Sequence, residues 1–279
     1  MKIVTTTSVF PPSYPSDKAL DRLARVGFTF IDMAFDYCTR ADHPFMNDGW
    51  IEWATALRQN ADSMQLYYTH AHAGGSSLSN LDGIIRTFKA CEILGISYLV
   101  IHPVYKHGES IITDDEEFIN VNAEGYQRML EEAARHGVTV LTENLLWGSS
   151  IKINVIADLV CRVNHPNFGW CFDTGHAHCS GLKISSVRSV SAIPLSLHIQ
   201  DNHGVGSGDE HLIPGDGTVD WKEFLDILSE INYRGELVLE AHHQSLDAPD
   251  EKREQILSIL LERAQKMNAY LDFLHKHKK

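Results

Sequence analysis

Two periods alternate along this chain. The runs KIVTTTS, FTFIDMAF, QLYYTHA, YLVIHP, VTVLTEN, FGWCFD, LSLHIQD and ELVLEA are too short for helices and rich in Val, Leu and Phe. Such runs read as buried strands. Between them Leu, Ile, Ala and Met return at three- and four-residue steps, which predicts helices over 17–26, 81–94, 114–136, 151–163, 221–231 and 250–274. Thr113 with Glu116, and Asp220 with Glu223, have the spacing of an N-cap and its reciprocal partner. Gly27, Gly95, Gly137 and Gly235 each stand between a helix and the next strand, where a left-handed C-cap favours glycine. Residues 174–194 give the weakest pattern: GHAHCSG is loop-like, and only KISSVRSVSAI suggests a short helix.

Eight strands in strict alternation with helices predict an α/β fold, a closed (β/α)8 TIM barrel spanning residues 1–279 as a single domain. Barrels of this kind typically run to ~250 residues. An open doubly wound sheet fits less well, because its first strand should lead into a glycine-rich turn and SVFPPSYPSD has no glycine. The same absence argues against a dinucleotide site.

Composition narrows the setting. The chain is 43% hydrophobic and 22% charged, ordinary for a globular protein. No apolar stretch approaches the ~20 residues needed to span a bilayer, so no membrane anchor is expected. MKIVTTTSVFPPSYP has too short an apolar run for a secretory signal and reads as a strand and loop, which points to a cytoplasmic protein. Cys38, Cys91, Cys161, Cys171 and Cys179 are odd in number, form no C-x-x-C pair, and are expected to be buried reduced thiols. A formal charge of −13 argues against nucleic acid as a partner. The terminal HKHKK reads as a charged, exposed tail on the last helix.

In a TIM barrel the chemistry sits at the C-terminal ends of the strands. Glu143 follows VTVLT, Asp173 follows FGWCF, His198 follows PLSL and Glu240 follows ELVL. Buried carboxylates are costly unless a cation or hydrogen bonds compensate them, so this set predicts a divalent metal site. One imidazole with three carboxylates suits Mn²⁺, Co²⁺ or Zn²⁺ without choosing among them. His70 and His72 end the third strand, His102 ends the fourth, His176 follows Asp173 by three, and Asp209 and His211 lie in the loop after the seventh. Each alone reads as a rim residue; together they make a dense set of ligand types.

VIHP at 100–103, TEN at 142–144, FDTGH at 172–176, LHIQDN at 197–202, DEHLIPGDGTVDW at 209–221 and VLEAHH at 238–243 occur in an order that resembles the xylose isomerase-like barrel superfamily. The likeness covers nearly the whole chain and is strongest to the sugar (phosphate) isomerase and epimerase branch, which is related to endonuclease IV. The resemblance implies one divalent ion held by Glu143, Asp173, His198 and Glu240, with Glu143 and Glu240 exchanging protons with a sugar through an enediolate. His176 is then a contact to substrate oxygen, and His70, His102, Asp209 and His211 surround it. The nuclease branch is similar in another way: its trinuclear zinc site resembles the set His70, His102, Glu143, Asp173, His176, His198, Asp209, His211 and Glu240. Acidic charge and few basic rim residues weigh against that alternative.

Substrate recognition is thinly encoded. Arg40, Lys106 and Lys183 are the few candidates for a phosphate, so an unphosphorylated sugar or small polyol is expected. Phe10, Phe35, Trp147 and Trp221 lie near strand ends and read first as packing. Trp147 stands out because LWG directly follows TEN and should project over the pocket. A homo-oligomer is compatible with the resemblance, and nothing in the sequence itself marks one.

Overall fold

The computed structural model describes residues 1–74 and 77–278. Eight parallel strands close into one barrel: β1 (Ile3–Thr6), β2 (Phe30–Ala34), β3 (Tyr67–His72), β4 (Tyr98–Val100), β5 (Thr139–Glu143), β6 (Phe168–Asp173), β7 (Ser196–Ile199) and β8 (Leu237–Leu239). Each pairs with its sequence neighbours, and β8 closes on β1 through Ile3–Leu237, Val4–Val238 and Thr5–Leu239. The crossovers are α1 (Ser16–Val26), α2 (Trp50–Ser63), α3 (Leu81–Leu94), α4 (Asp115–Arg135), α5 (Ile153–Val163), the short α6 (Thr174–Cys179) with a 3-10 turn at Ile184–Ser189, α7 (Trp221–Glu230), and the short α8 (His243–Leu246) with α9 (Asp250–His277). This is the (β/α)8 TIM barrel expected from the strand and helix periods.

The main apolar core lies between strands and helices, where Ile31, Tyr126, Trp170, Phe172, Phe224 and Leu228 are buried. Helix α2 escaped the periodicity because it buries only Ala54, Leu57 and Ala61 and starts after Gly49 without a side-chain cap. Helix α6 lies in the stretch read as a loop; Asp173 caps it by accepting from the His176 N–H. The cap of α4 is Asp114, accepting from the Glu117 N–H at 2.8 Å, one residue beyond the expected Thr113. A carboxylate there is also favoured by the helix dipole. The expected cap at Asp220 is present, accepting from Glu223.

Gly27, Gly95 and Gly137 adopt left-handed φ as expected, whereas Gly235 does not; Asn232 takes that conformation after α7. Gly235 is required for another reason: a Cβ would sit 2.2 Å from the Tyr233 hydroxyl and 2.6 Å from the Leu195 carbonyl. The C-terminal residues 276–278 are exposed, as expected for a charged tail, and Lys278 also closes a helix end. Its Nζ donates to the Ser229 and Glu230 carbonyls at 2.8 and 3.1 Å, closing the C-terminal end of α7. Lys279 of HKHKK lies outside the described residues.

Inside the barrel, Val100, Leu141 and Cys171 form a small apolar cluster beside Tyr98. The floor is polar. His70 Nε2 lies 3.0 Å from Ser196 Oγ, and its Nδ1 lies 3.2 Å from Glu236 Oε2. The other Glu236 oxygen takes Lys2 Nζ at 2.6 Å. Ser196 and Tyr98 begin their strands and Glu236 precedes β8, so His70 is at the N-terminal end of the barrel. This corrects the placement of His70 on the functional rim. His70 and His72 share the inward face, but strand residues two apart differ in depth by ~6–7 Å, and only His72 reaches the mouth.

Burial alone would raise the Glu236 carboxyl; His70 and Lys2 outweigh it and hold it at about 2. The native state therefore binds the Glu236 proton less well than the unfolded chain. The resulting stability is present above the ordinary carboxylate range and is lost as pH falls through that range toward 2. Glu236→Gln should lower Tm at pH 7 by roughly 2–4 °C, and the gap to the wild type should close in acid. Thermal melts across pH check this, and a gap independent of pH would refute the assignment.

Candidate metal centre

Strand ends deliver the central donors. Glu143 is the last residue of β5, Asp173 the last of β6, His198 lies near the end of β7, and Glu240 follows β8. Register places Asp173 beside His198, and the Glu240 N–H donates to Ile199 O at 3.0 Å. His198 Nδ1 lies 2.7 Å from Glu143 Oε1 and 3.4 Å from Glu240 Oε2. One atom each from Glu143, Asp173, His198 and Glu240 falls within 4.8 Å of the others.

Two further donor groups adjoin this one. His72 Nε2 and His102 Nε2 face each other at 2.9 Å and approach Glu143 Oε2 at 3.7 and 3.2 Å. Asp36 Oδ2, 3.2 Å from the far nitrogen of His72, orients that ring. On the other side, Asp209 Oδ2 lies 3.2 Å from His176 Nε2 and 2.8 Å from His211 Nε2. Both of these rings donate Nδ1–H to a carbonyl, His176 to Asn144 and His211 to Glu240, each at 2.9 Å. That bond engages Nδ1 and turns Nε2 toward Asp209, where it would have to give up its proton to bind a cation.

Local structure explains the positions. Asn144 ties β5 to β6 by accepting from the Asp173 N–H and donating to the Asp173 carbonyl, at 2.9 and 3.0 Å. The loop carrying Asp209 and His211 is pinned by buried Asp201, which accepts from the N–H groups of Gly215 and Val219 and from the Trp221 indole. Residues 201 and 212 pair as an isolated bridge. His211, between them and Asp209, is held at φ 46°, a conformation uncommon outside glycine. Such strain is typical of residues that a site requires in one place.

The electrostatics fit a cation. Glu143 Oε2 and Asp173 Oδ2 are buried without a hydrogen-bond partner. Burial pushes the Asp173 carboxyl up, to about 7, with His176 opposing and Glu143, Glu240 and Asp209 reinforcing. Burial also disfavours charge on Glu143, but His198, His102 and His72 hold its carboxyl well below the usual range. The histidines compensate in turn. Against the effect of burial, Cys171 with Glu143 and Glu240 raises His198 well above the ordinary imidazole value, and nearby carboxylates raise His72 well above it, His176 to about 10 and His211 to about 9. Protons thus do here what a divalent ion can do better, since one ion satisfies several carboxylates at once. Burial pushes the Cys171 thiol beside His198 up to about 12, so with no ion bound it stays protonated.

The structure gathers Glu143, Asp173, His198, Glu240, His102, His176, Asp209 and His211 in one mouth and excludes His70. His72 takes the place expected for His70. Gln200 was missed as well: its Nε2 donates to Asp209 Oδ1 at 2.7 Å. Its signal is its inward position two residues after His198. Trp147 is exposed at the rim, whereas Phe10 and Phe35 are buried and Trp221 is held by Asp201. Arg40, a candidate for phosphate, is bound by Asp42.

A closed barrel with a metal-type donor set at the C-terminal ends of its strands defines a class of enzyme. The chain belongs to the xylose isomerase-like TIM barrel family, which it matches over residues 20–263. It is 26% identical over 162 residues to inosose isomerase of Bacillus velezensis, covering 54% of this chain and 56% of that protein. It is 26% identical over 173 residues to a probable endonuclease 4 of Persephonella marina, covering 56% and 59%. The chain thus spans somewhat over half the length of these relatives. A D-psicose 3-epimerase structure determined with D-fructose superposes with TM-score 0.75 at 17% identity over 96% of this chain and 99% of that one. The IOLI protein with a bound zinc atom gives 0.72 at 18%, over 97% and 98%. At these identities the two structures show the shared fold. No helix among the described residues is long and apolar enough to cross a membrane.

Asp173→Ala and His198→Ala should each deplete bound metal while circular dichroism stays that of the wild type; full occupancy in both would remove these residues from the ligand set. His198 carries a proton in the metal-free protein and must lose it to ligate, so zinc uptake at pH 7 should release protons and weaken as pH falls. Indicator titration in weak buffer measures this, and proton-neutral uptake would contradict it.

Proposed function

We propose that this protein is a metal-dependent sugar isomerase or epimerase that moves a proton on the carbon next to a carbonyl through an enediolate. The carrying observation is the approach of Glu143 and Glu240, from β5 and β8, to the same nitrogen of His198 at 2.7 and 3.4 Å. A divalent ion bound here, Mn²⁺, Zn²⁺ or Co²⁺, supplies Lewis-acid polarisation of the substrate carbonyl. Glu143, Asp173, His198 and Glu240 hold it. One of the two glutamates removes the proton and the other returns it from its own side of the substrate, as a pair of general acid–base groups. His176, His211, Asp209 and Gln200 line the same mouth and orient hydroxyls, while His102, partly exposed, stands at its edge.

A small-molecule sugar is the substrate in this reading, and the similarity to inosose isomerase supports it. Arg40 is already paired with Asp42, so a phosphate gains little from it. The five free cysteines suit the reducing cytoplasm. The second reading, an abasic-site nuclease with a multinuclear zinc site, is favoured by the three adjoining donor groups His72–His102–Glu143, Glu143–Asp173–His198–Glu240 and His176–Asp209–His211. A chain of net charge −13 must bind a polyanion against its own field, which ranks this reading second.

Glu143→Gln and Glu240→Gln should each lower ketose turnover beyond the ~10²- to 10⁴-fold ascribed to one general base, because metal ligation weakens too. Solvent deuterium should enter the product at the carbon next to the carbonyl; product formed without it would indicate hydride transfer. Metal analysis should give a stoichiometry nearer one ion per chain than three, with no incision of abasic duplex DNA. Three zinc ions together with metal-dependent incision would establish the nuclease instead.

A further inference from the structure

Trp147 is the most exposed tryptophan among the described residues, at 41%, and lies outside the packed core. It follows Glu143 by four positions, and Tyr105 follows His102 by three, so the two strand ends that supply these donors also supply two rings. The rings stack at 4.6 Å between centroids and 21° between planes. At 41% exposure the stacked indole keeps part of its surface open to solvent, on the loops that follow the C-terminal ends of β4 and β5.

The shelf is built to stay in place. The Ile112 N–H donates to Tyr105 O at 2.9 Å, and the Ser149 N–H donates to Ile112 O at 2.9 Å, fastening the loop after β5 to the one after β4. Gly148 permits this approach: at φ 56°, any Cβ would strike the Ile112 carbonyl at 2.1 Å. Ser150 Oγ donates to Trp147 O at 2.6 Å, and Asp115 binds Ser149 Oγ and Lys152 Nζ at 2.6 and 2.7 Å. A rigid aromatic face displayed to water beside a polar mouth is a preorganised recognition surface.

We infer that Tyr105 and Trp147 form a subsite for a second pyranose ring, so that the reacting sugar is taken as the ketose end of a disaccharide. This rests on the sugar reading of the adjoining site and extends it to the substrate's size. A pyranose presents an apolar C–H face for the indole and hydroxyls at its edge, and Lys106, exposed next to Tyr105 with its Nζ 6.0 Å from that ring's centroid, offers a polar group beside the stack. The net charge of −13 opposes a phosphate-bearing occupant such as a nucleotide.

The test uses the metal-loaded enzyme with maltulose, lactulose and isomaltulose against free D-fructose and D-psicose, reading kcat/KM by solvent deuterium incorporation. The wild type should favour at least one disaccharide. Trp147→Ala should reduce that preference at least ten-fold, and Trp147→Phe should keep most of it, with melts confirming that both variants fold. Binding is read independently by tryptophan fluorescence during maltulose titration, comparing the wild type with Trp147→Phe. If no ketose turns over yet maltulose perturbs Trp147, the isomerase reading fails and the subsite stands. Equal handling of one- and two-ring sugars with no Trp147 response, or tighter binding of adenosine than of maltulose, would overturn the subsite.

Discussion

Glu143 is the interaction on which the mouth depends. It is fully buried at the end of β5, and imidazoles from β3, the loop after β4, β7 and α6 all approach it. A lone carboxylate in such a place would take up a proton or disrupt the fold. Its neighbours instead form a compensated cluster in which His72, His176 and His198 offset the buried carboxylate and are in turn shifted toward the charged form. Removing any one member changes the charge on the others, so the carboxylates and imidazoles of the rim titrate as one coupled system.

Holding that system together requires tightly fixed loops. Asn144 ties β5 to β6, Asp201 pins the long loop after β7, and the Ile112 carbonyl fastens the loop after β5 to that after β4. Each anchor is a buried or partly buried polar group spent on backbone N–H groups that would otherwise lack partners. The strained φ of His211 is sustained by this bracing. The result is a rim whose donors are in place before any ligand arrives, which is what preorganised electrostatic catalysis needs.

The polar floor has a different character. A barrel interior is usually filled by branched aliphatic side chains, yet here His70, Ser196 and Glu236 form a hydrogen-bonded group below the small Val100–Leu141–Cys171 cluster. Asp32 is buried in the same interior with one oxygen unpartnered, and burial pushes its carboxyl up. Polarity thus extends along the barrel axis rather than being confined to the mouth. Sequence periodicity cannot reveal this, since an inward residue near the floor and one near the mouth occupy the same face.

The barrel, its strand count and six of its helices were legible in the chain, because periods of about two and 3.6 residues are local consequences of which face is buried. That Glu143, Asp173, His198 and Glu240 come together was legible too, because each stands at or near the end of an apolar run and the strand ends of a barrel converge on one rim. Helix α2 was hidden by its small buried face, and the capping of α4 shifted by one residue between adjacent acceptors. Depth along the barrel axis was decided by tertiary structure alone. His70 and His72 share residue type, strand and face, and being two residues apart they differ in depth; the neighbouring strands decide that one depth is the floor beside Glu236 and the other the mouth beside Glu143. The same holds for Gln200 and for the Tyr105–Trp147 stack, whose partners are distant in sequence and meet because barrel closure and loop anchoring bring separate strand ends together.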